Sequence, residues 1–238
     1  MMHAAAARDR GDHVVHLERE PGSRGASVRN FGLIWVSGRA PGPELELALR
    51  SRELWERDLV VLCTGAAHTG IVGPHLAGHA RPPVRRVRLQ MLQTEPLGRR
   101  LTTSVADGDS LRYYPAYDLP GRARLAPQQP AAAAAGAQLL LAQRLDGSLT
   151  IGDTHAYDEP FAFDLDERPY DHLRARAESL LGTSLPPTRL RWAGVYSQVT
   201  GTEIYYRSQV APGVVLVTGT GGRGMTLAPA IAEQTFAA

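Results

Sequence analysis

The chain contains no lysine; all 26 of its basic residues are arginine. A Walker lysine, a Schiff-base lysine and every other lysine-dependent chemistry are thereby excluded. Cysteine is almost absent too. Cys63 stands alone, so no intrachain disulfide can form, and a reducing cytoplasm is the expected setting. No apolar run approaches the roughly 20 residues that a membrane-spanning helix needs. The opening Met-Met-His-Ala-Ala-Ala-Ala-Arg-Asp-Arg turns charged too early for a secretory signal core. A net charge of +2 is too small to argue for a nucleic-acid partner. What remains, with 43% hydrophobic and 21% charged residues, fits a globular protein of one or two domains.

Glycine is concentrated near the C-terminus. Val214 to Val217 is an apolar β-branched run that reads as a buried strand. Gly219, Gly221, Gly222 and Gly224 follow, and Met225-Thr-Leu-Ala-Pro-Ala-Ile-Ala-Glu233 then suits a helix. A strand feeding a glycine turn feeding a helix brings bare backbone N–H groups up to a ligand. The positive end of the helix favours an anion or an electron-rich ring edge. A Cβ there would block close approach. An ordinary turn needs fewer glycines than this.

Met1 to Arg10 is alanine-rich and helix-prone, with Gly11 placed to end it. Asp12 to Glu18 reads as a short strand closing on an acid, as in the second half of a dinucleotide-binding unit, where the acid meets a ribose. The Gly-x-Gly-x-x-Gly turn of the first half is missing before it. Pro43 to Glu56 has helical spacing. Arg57 to Ala66 reads as a strand closing on Thr64-Gly65, joined to that helix without a loop. His68, His75 and His79 lack a carboxylate or cysteine partner, so no metal site is expected. Arg81 to Arg88 interleaves arginine with valine, as a strand with one solvated face does. Ser110 to Tyr117 is strand-like and rich in tyrosine. Pro127 to Ala137 reads as a connection with a helical tail, and a turn at Asp146-Gly147 feeds a strand. Tyr170 to Leu181 reads as an amphipathic helix ended by Gly182, and Leu190 to Ser197 as a strand.

Glu18-Arg19 followed by Gly25-Ala-Ser-Val-Arg-Asn-Phe-Gly32 resembles the FAD-dependent amine and amino-acid oxidoreductases, the family of D-amino-acid, glycine and sarcosine oxidases. The wording is most similar to the subgroup associated with aminophosphonate catabolism. The resemblance implies an α/β fold: a partial Rossmann-like FAD-binding domain with an inserted antiparallel-sheet substrate domain. It divides the chain at 1–80, 81–200 and 201–238. It implies non-covalent FAD, held by Glu18, Ala26, Ser27, Arg29, Asn30, Thr64, Gly65, Gly219, Gly221, Gly222, Gly224, Met225 and Thr226. Arg112, Tyr114 and Tyr196 would face a small amine substrate. Amino-acid oxidases of the family carry an arginine that clamps the substrate carboxylate. This chain has Trp192-Ala-Gly-Val-Tyr-Ser197, with Tyr196 at that position. A tyrosine gives no bidentate, charge-assisted contact, so an aminophosphonate is expected over an ordinary α-amino acid.

The implied reaction is oxidation of an amine C–N bond by hydride transfer to the flavin. Relative to the family, the glycine turn before residue 1 and a segment at Glu56–Arg57 are missing, so weak FAD binding is expected. The alternative is a truncated non-catalytic remnant, or one part of a split flavoprotein. A nicotinamide dehydrogenase would share the ribose acid but leaves the C-terminal glycine turn unexplained.

Overall fold

The computed structural model describes residues 2–15, 34–55, 83–211 and 214–237. Its centre is a five-stranded sheet in the order β2-β3-β4-β1-β5, antiparallel throughout. The strands are β1 (Val84–Pro96), β2 (Val105–Ala106), β3 (Leu140–Gln143), β4 (Ser148–Gly152) and β5 (Thr188–Val199). β1 lies between β4 and β5, and Val87 to Leu92 of it is buried except for the half-buried Arg88. Arg85 and Arg86 are both exposed although neighbours on a strand point to opposite faces, so this end of β1 is open on both sides rather than on the one solvated face expected.

Register decides which residues share a face, because directly opposed residues in an antiparallel pair point the same way. Leu92 opposes Ile151, and Ile151 opposes Leu141. Together with Leu149 they pack against Tyr170, Leu173 and Ala177 of helix α5 (Arg168–Leu181). That spacing of three and four residues is the apolar stripe of an amphipathic helix. Gly182 ends α5 at φ 64°, a conformation that glycine adopts without strain. The opposite face carries Val87, Leu89 and Met91, opposed by Tyr196, Gly194 and Trp192. This second face carries the candidate site.

A smaller layer is built from α1 (Met2–Asp9), α2 (Pro43–Trp55) and α6 (Gly224–Ala237), beside the antiparallel pair β6 (Tyr206–Ala211) and β7 (Val214–Thr218). Leu47 and Ala48 of α2 meet Leu227, Ala230 and Ile231 of α6. Pro229 sits inside α6 and has no N–H to give the carbonyl of Met225. That carbonyl instead accepts the indole N–H of Trp55 at 2.7 Å, and the Ala230 N–H reaches the Ser51 hydroxyl at 3.0 Å. The carbonyl that the proline leaves open is thus satisfied by α2, and Ser51 of α2 makes a second contact one residue on. Among the described residues no helix is long and apolar enough to cross a membrane.

Three expectations change. Ser110 to Tyr117 is not a strand: it forms helix α3 (Ser110–Tyr113) and a 3-10 turn (Pro115–Tyr117). Asp107 accepts the N–H groups of Asp109 at 3.0 Å and Ser110 at 3.3 Å, which starts the helix, and Pro115 opens the following turn. Local capping overrides the strand preference of the tyrosines. β7 is a strand but not a buried one, since Val215 is 49% exposed and Leu216 and Val217 are half-buried. The expected strand from Asp12 to Glu18 is not formed over 12–15. Every strand pairing among the described residues is antiparallel, so the parallel sheet of a Rossmann-like unit is not among them. The remaining helix, α4 (Pro130–Ala134), falls in the expected connection.

Candidate functional site

The glycine turn sits where β7 leaves its hairpin and meets the end of β5. Gly219 donates its N–H to the Ser197 hydroxyl at 3.2 Å and accepts the Val199 N–H at 2.9 Å. Its φ is +84°, and a Cβ there would stand 2.8 Å from Val199 Cγ1 and 3.0 Å from Val84 Cγ1. Gly221 has φ +61°, and α6 begins at Gly224 after a single 3-10 turn. Gly219 and Gly221 therefore shape the turn. Gly222 differs: it is exposed, and a Cβ on it would face Tyr196 Oη at 3.7 Å. Bare backbone at Gly222 thus lies beside a tyrosine hydroxyl. Thr226 is buried and its hydroxyl accepts the Trp35 N–H at 3.2 Å.

Tyr196 is buried, and its hydroxyl lies 3.1 Å from that of Tyr113. The Tyr113 ring stacks on His155 at 4.2 Å and meets Tyr114 edge-on at 5.0 Å. Tyr114 in turn meets Trp35 edge-on at 4.8 Å, and the Arg39 guanidinium lies 5.2 Å over its ring. Burial pushes the Tyr113 phenol up to about 12 and the Tyr196 phenol well above its ordinary value. Both are neutral near pH 7. One hydroxyl proton bridges the pair, so the other O–H remains to donate elsewhere.

Behind the tyrosines lies a buried acid. Asp153 accepts the Gln138 side-chain N–H at 3.1 Å, and its second oxygen is 4.0 Å from His155 Nε2. His155 Nδ1 faces the Gly136 carbonyl at 3.0 Å. A carbonyl only accepts, so Nδ1 carries a proton and Nε2 presents its lone pair to Asp153 when the ring is neutral. Burial raises the Asp153 carboxyl above its ordinary value. An acid raised in the folded state holds its proton where the unfolded chain, with a carboxyl near 4, has lost it. Stability then falls as pH rises from about 4 through the folded value. Asp153→Asn removes that dependence. Its melting temperature relative to the unsubstituted protein is expected to rise as the pH increases above about 4 and to level off once the folded carboxyl has ionised, and a constant difference in thermal melts would contradict the assignment.

The structure brings together Gly222 and Tyr196, with Tyr114 one ring further along. It does not bring Arg112 to them. Arg112 Nε pairs with Asp109 at 2.9 Å, and the same guanidinium donates to the Ala126 carbonyl. The helical turn at 110–113 carries it away from the strand geometry that would have aimed it at a substrate. Glu18, Ala26, Ser27, Arg29, Asn30, Thr64 and Gly65 lie outside the described residues, as do His68, His75 and His79. Tyr113, not Tyr114, reaches Tyr196, because the chain is helical there. His155 and Asp153 went unremarked in the sequence; their signal is polar Asp153-Thr-His155 directly after the buried strand β4.

No curated protein matches the chain. Among solved structures it is similar to glycine oxidase from Bacillus cereus ATCC 14579, at 14% identity and TM-score 0.42 over 63% of this chain and 34% of that one. Glycine oxidase from Geobacillus kaustophilus gives 15% identity and TM-score 0.42, over 66% of this chain and 35% of that one. L-proline dehydrogenase from P. horikoshii gives 16% identity and TM-score 0.45, over 68% and 37%. The chain thus spans about a third of the length of each of these proteins. The family profile described as DAO, FAD dependent oxidoreductase, matches residues 56–238, well over half of the sequence. The chain belongs to the DAO family of FAD-dependent oxidoreductases.

Proposed function

We propose that the chain serves oxidation of the C–N bond of a small amine, with the reacting centre between the Gly219–Gly224 turn and the Tyr113–Tyr196 pair. The observation that carries this reading is Gly222, exposed and bare beside the Tyr196 hydroxyl. The turn fits a flat, electron-rich ring: Gly222 offers close backbone approach, and α6 opens directly after it. Gly222, Gly224 and Met225 would hold FAD on this side, with the buried Gly219 and Gly221 shaping the turn beneath them. By resemblance, Glu18, Ala26, Ser27, Arg29, Asn30, Thr64 and Gly65 would hold the rest. FAD, when bound, supplies the hydride acceptor. The protein's own part is orientation. The unused O–H of the tyrosine pair donates to one substrate oxygen, and Trp35 and Tyr114 form an aromatic wall behind it.

A pair of neutral phenols gives a hydrogen bond but no charge. It holds an α-carboxylate far less firmly than a bidentate arginine does. The proposed substrate is therefore not an ordinary α-amino acid; the choice of an aminophosphonate rests on the sequence resemblance of Gly25–Gly32, not on the charge of the tyrosine pair. With FAD present and oxygen excluded, aminomethylphosphonate is expected to bleach the flavin band. Glycine, D-alanine and sarcosine should do so at least about tenfold more slowly, the effect of losing roughly 1.4 kcal/mol in the transition state. Bleaching by glycine at a comparable rate would refute the substrate class.

A further inference from the structure

Two buried side chains, Arg39 and Glu44, and the partly buried Arg223 connect the glycine turn to α2 and to the aromatic wall. Glu44 lies in the first turn of α2 with its side chain 8% exposed. One of its oxygens is 3.5 Å from Arg39 Nη1 and the other is 3.2 Å from Arg223 Nη1. Arg223 is the last residue of the 3-10 turn and also donates to the carbonyls of Thr220 and Ile204, both at 3.2 Å. Arg39 donates from Nε to the Trp35 carbonyl at 2.9 Å and lies over Tyr114. The contacts close a ring, from Gly222 through Arg223, Glu44, Arg39, Tyr114, Tyr113 and Tyr196 back to Gly222.

We propose that Glu44 is a positioning residue: through Arg223 it fixes the glycine turn, and through Arg39 it fixes the tyrosine wall, so that one carboxylate sets the spacing between them. The proposal rests on the reading that the turn meets the flavin. Its physical basis is the two-arginine arrangement. A single arginine would satisfy the charge of Glu44, and two of them hold its two oxygens in two directions at once. The Gly219 end of the turn is tied to β5 through Ser197 and Val199, whereas on the Gly222–Gly224 side Arg223 is the residue whose side chain can hold it.

The pair also provides clean variants. Arg223→Met leaves a neutral Arg39–Glu44 pair, and Arg39→Met leaves a neutral Glu44–Arg223 pair, so neither strands a buried charge. Backbone hydrogen–deuterium exchange over 219–225 reads the turn without any cofactor, and quenching of flavin fluorescence reads FAD affinity. Arg223→Met should speed exchange there and weaken FAD, each by about tenfold or more, the size expected when a local opening loses about 1.4 kcal/mol. Arg39→Met should leave exchange in the turn within about twofold, since its pair lies on the far side of Glu44. Unchanged exchange in Arg223→Met would overturn the clamp. Faster exchange with unchanged FAD affinity, while Gly222→Val still weakens FAD, would overturn the positioning role. FAD affinity indifferent to Gly222→Val as well would overturn the flavin reading of the turn, leaving the clamp on the turn supported.

Discussion

Gly219→Val is expected to lower the melting temperature by roughly 5–15 °C. Two effects add. Gly219 sits at φ +84°, where a side chain strains the backbone by about 1–2 kcal/mol and a β-branched one by more. Its Cβ would also fall 2.8 Å from Val199 Cγ1 and 3.0 Å from Val84 Cγ1, both on sheet strands with little room to retreat. Overpacking of that kind costs about 1–3 kcal/mol. Gly222→Ala is the control. Gly222 has no positive φ, and the nearest atoms to a Cβ on it would be those of Tyr196, at 3.7 to 3.9 Å. A change within about 0.5 kcal/mol is expected there. Equal melting of the two variants would show that the turn is not held as described.

Glu44→Ala is expected to cost about 3–5 kcal/mol in denaturant unfolding, the usual loss when one member of a buried ion pair is removed. Arg39 and Arg223 then face each other with side chains 3% and 18% exposed and no carboxylate between them. Burial already lowers the Arg39 guanidinium below its ordinary value, which marks how poorly this place solvates a cation. Adding Arg223→Met to Glu44→Ala removes one of the two cations and should recover part of the loss. Glu53→Ala is the contrast: Glu53 also pairs with an arginine, Arg50, but its side chain is 60% exposed. Exposed pairs are worth about 0–1 kcal/mol. Losses of equal size at Glu44 and Glu53 would contradict the buried arrangement.

The periodic elements were legible in the sequence. α2, α5 and β1 carry their apolar residues at spacings that only one kind of element satisfies, and Gly11 and Gly182 end helices as their positions suggest. The glycine turn was legible too, because four glycines in six residues have few other uses. The segment around the tyrosines was not. Ser110 to Tyr117 has the composition of a strand, and its helix depends on Asp107, three residues upstream, turning its carboxylate to two backbone N–H groups. With the segment helical, Tyr113 reaches the Tyr196 hydroxyl and Arg112 pairs with Asp109. The Arg39–Glu44–Arg223 arrangement was invisible for a different reason. Its members lie up to 184 residues apart, counted from 39 to 223, and each alone reads as a surface charge. The helix read over Met225–Glu233 tolerates Pro229 because Trp55 takes up the Met225 carbonyl, a contact that only the packing shows.

The backbone of Gly222 is proposed to meet the flavin beside Tyr196. That contact is tested most directly by titrating FAD into the full chain and into Gly222→Val and Gln234→Ala, with flavin fluorescence as the readout. Valine at 222 meets no backbone strain, so the fold should persist while its side chain occupies the approach to the turn. Gln234 is exposed; its side chain accepts a hydrogen bond from Tyr205, and its backbone carbonyl one from Arg207. FAD affinity is expected to be at least about 100-fold weaker in Gly222→Val than in the unsubstituted protein, a difference of roughly 2.8 kcal/mol. It should be unchanged in Gln234→Ala. Equal FAD affinity in all three proteins would contradict the claim.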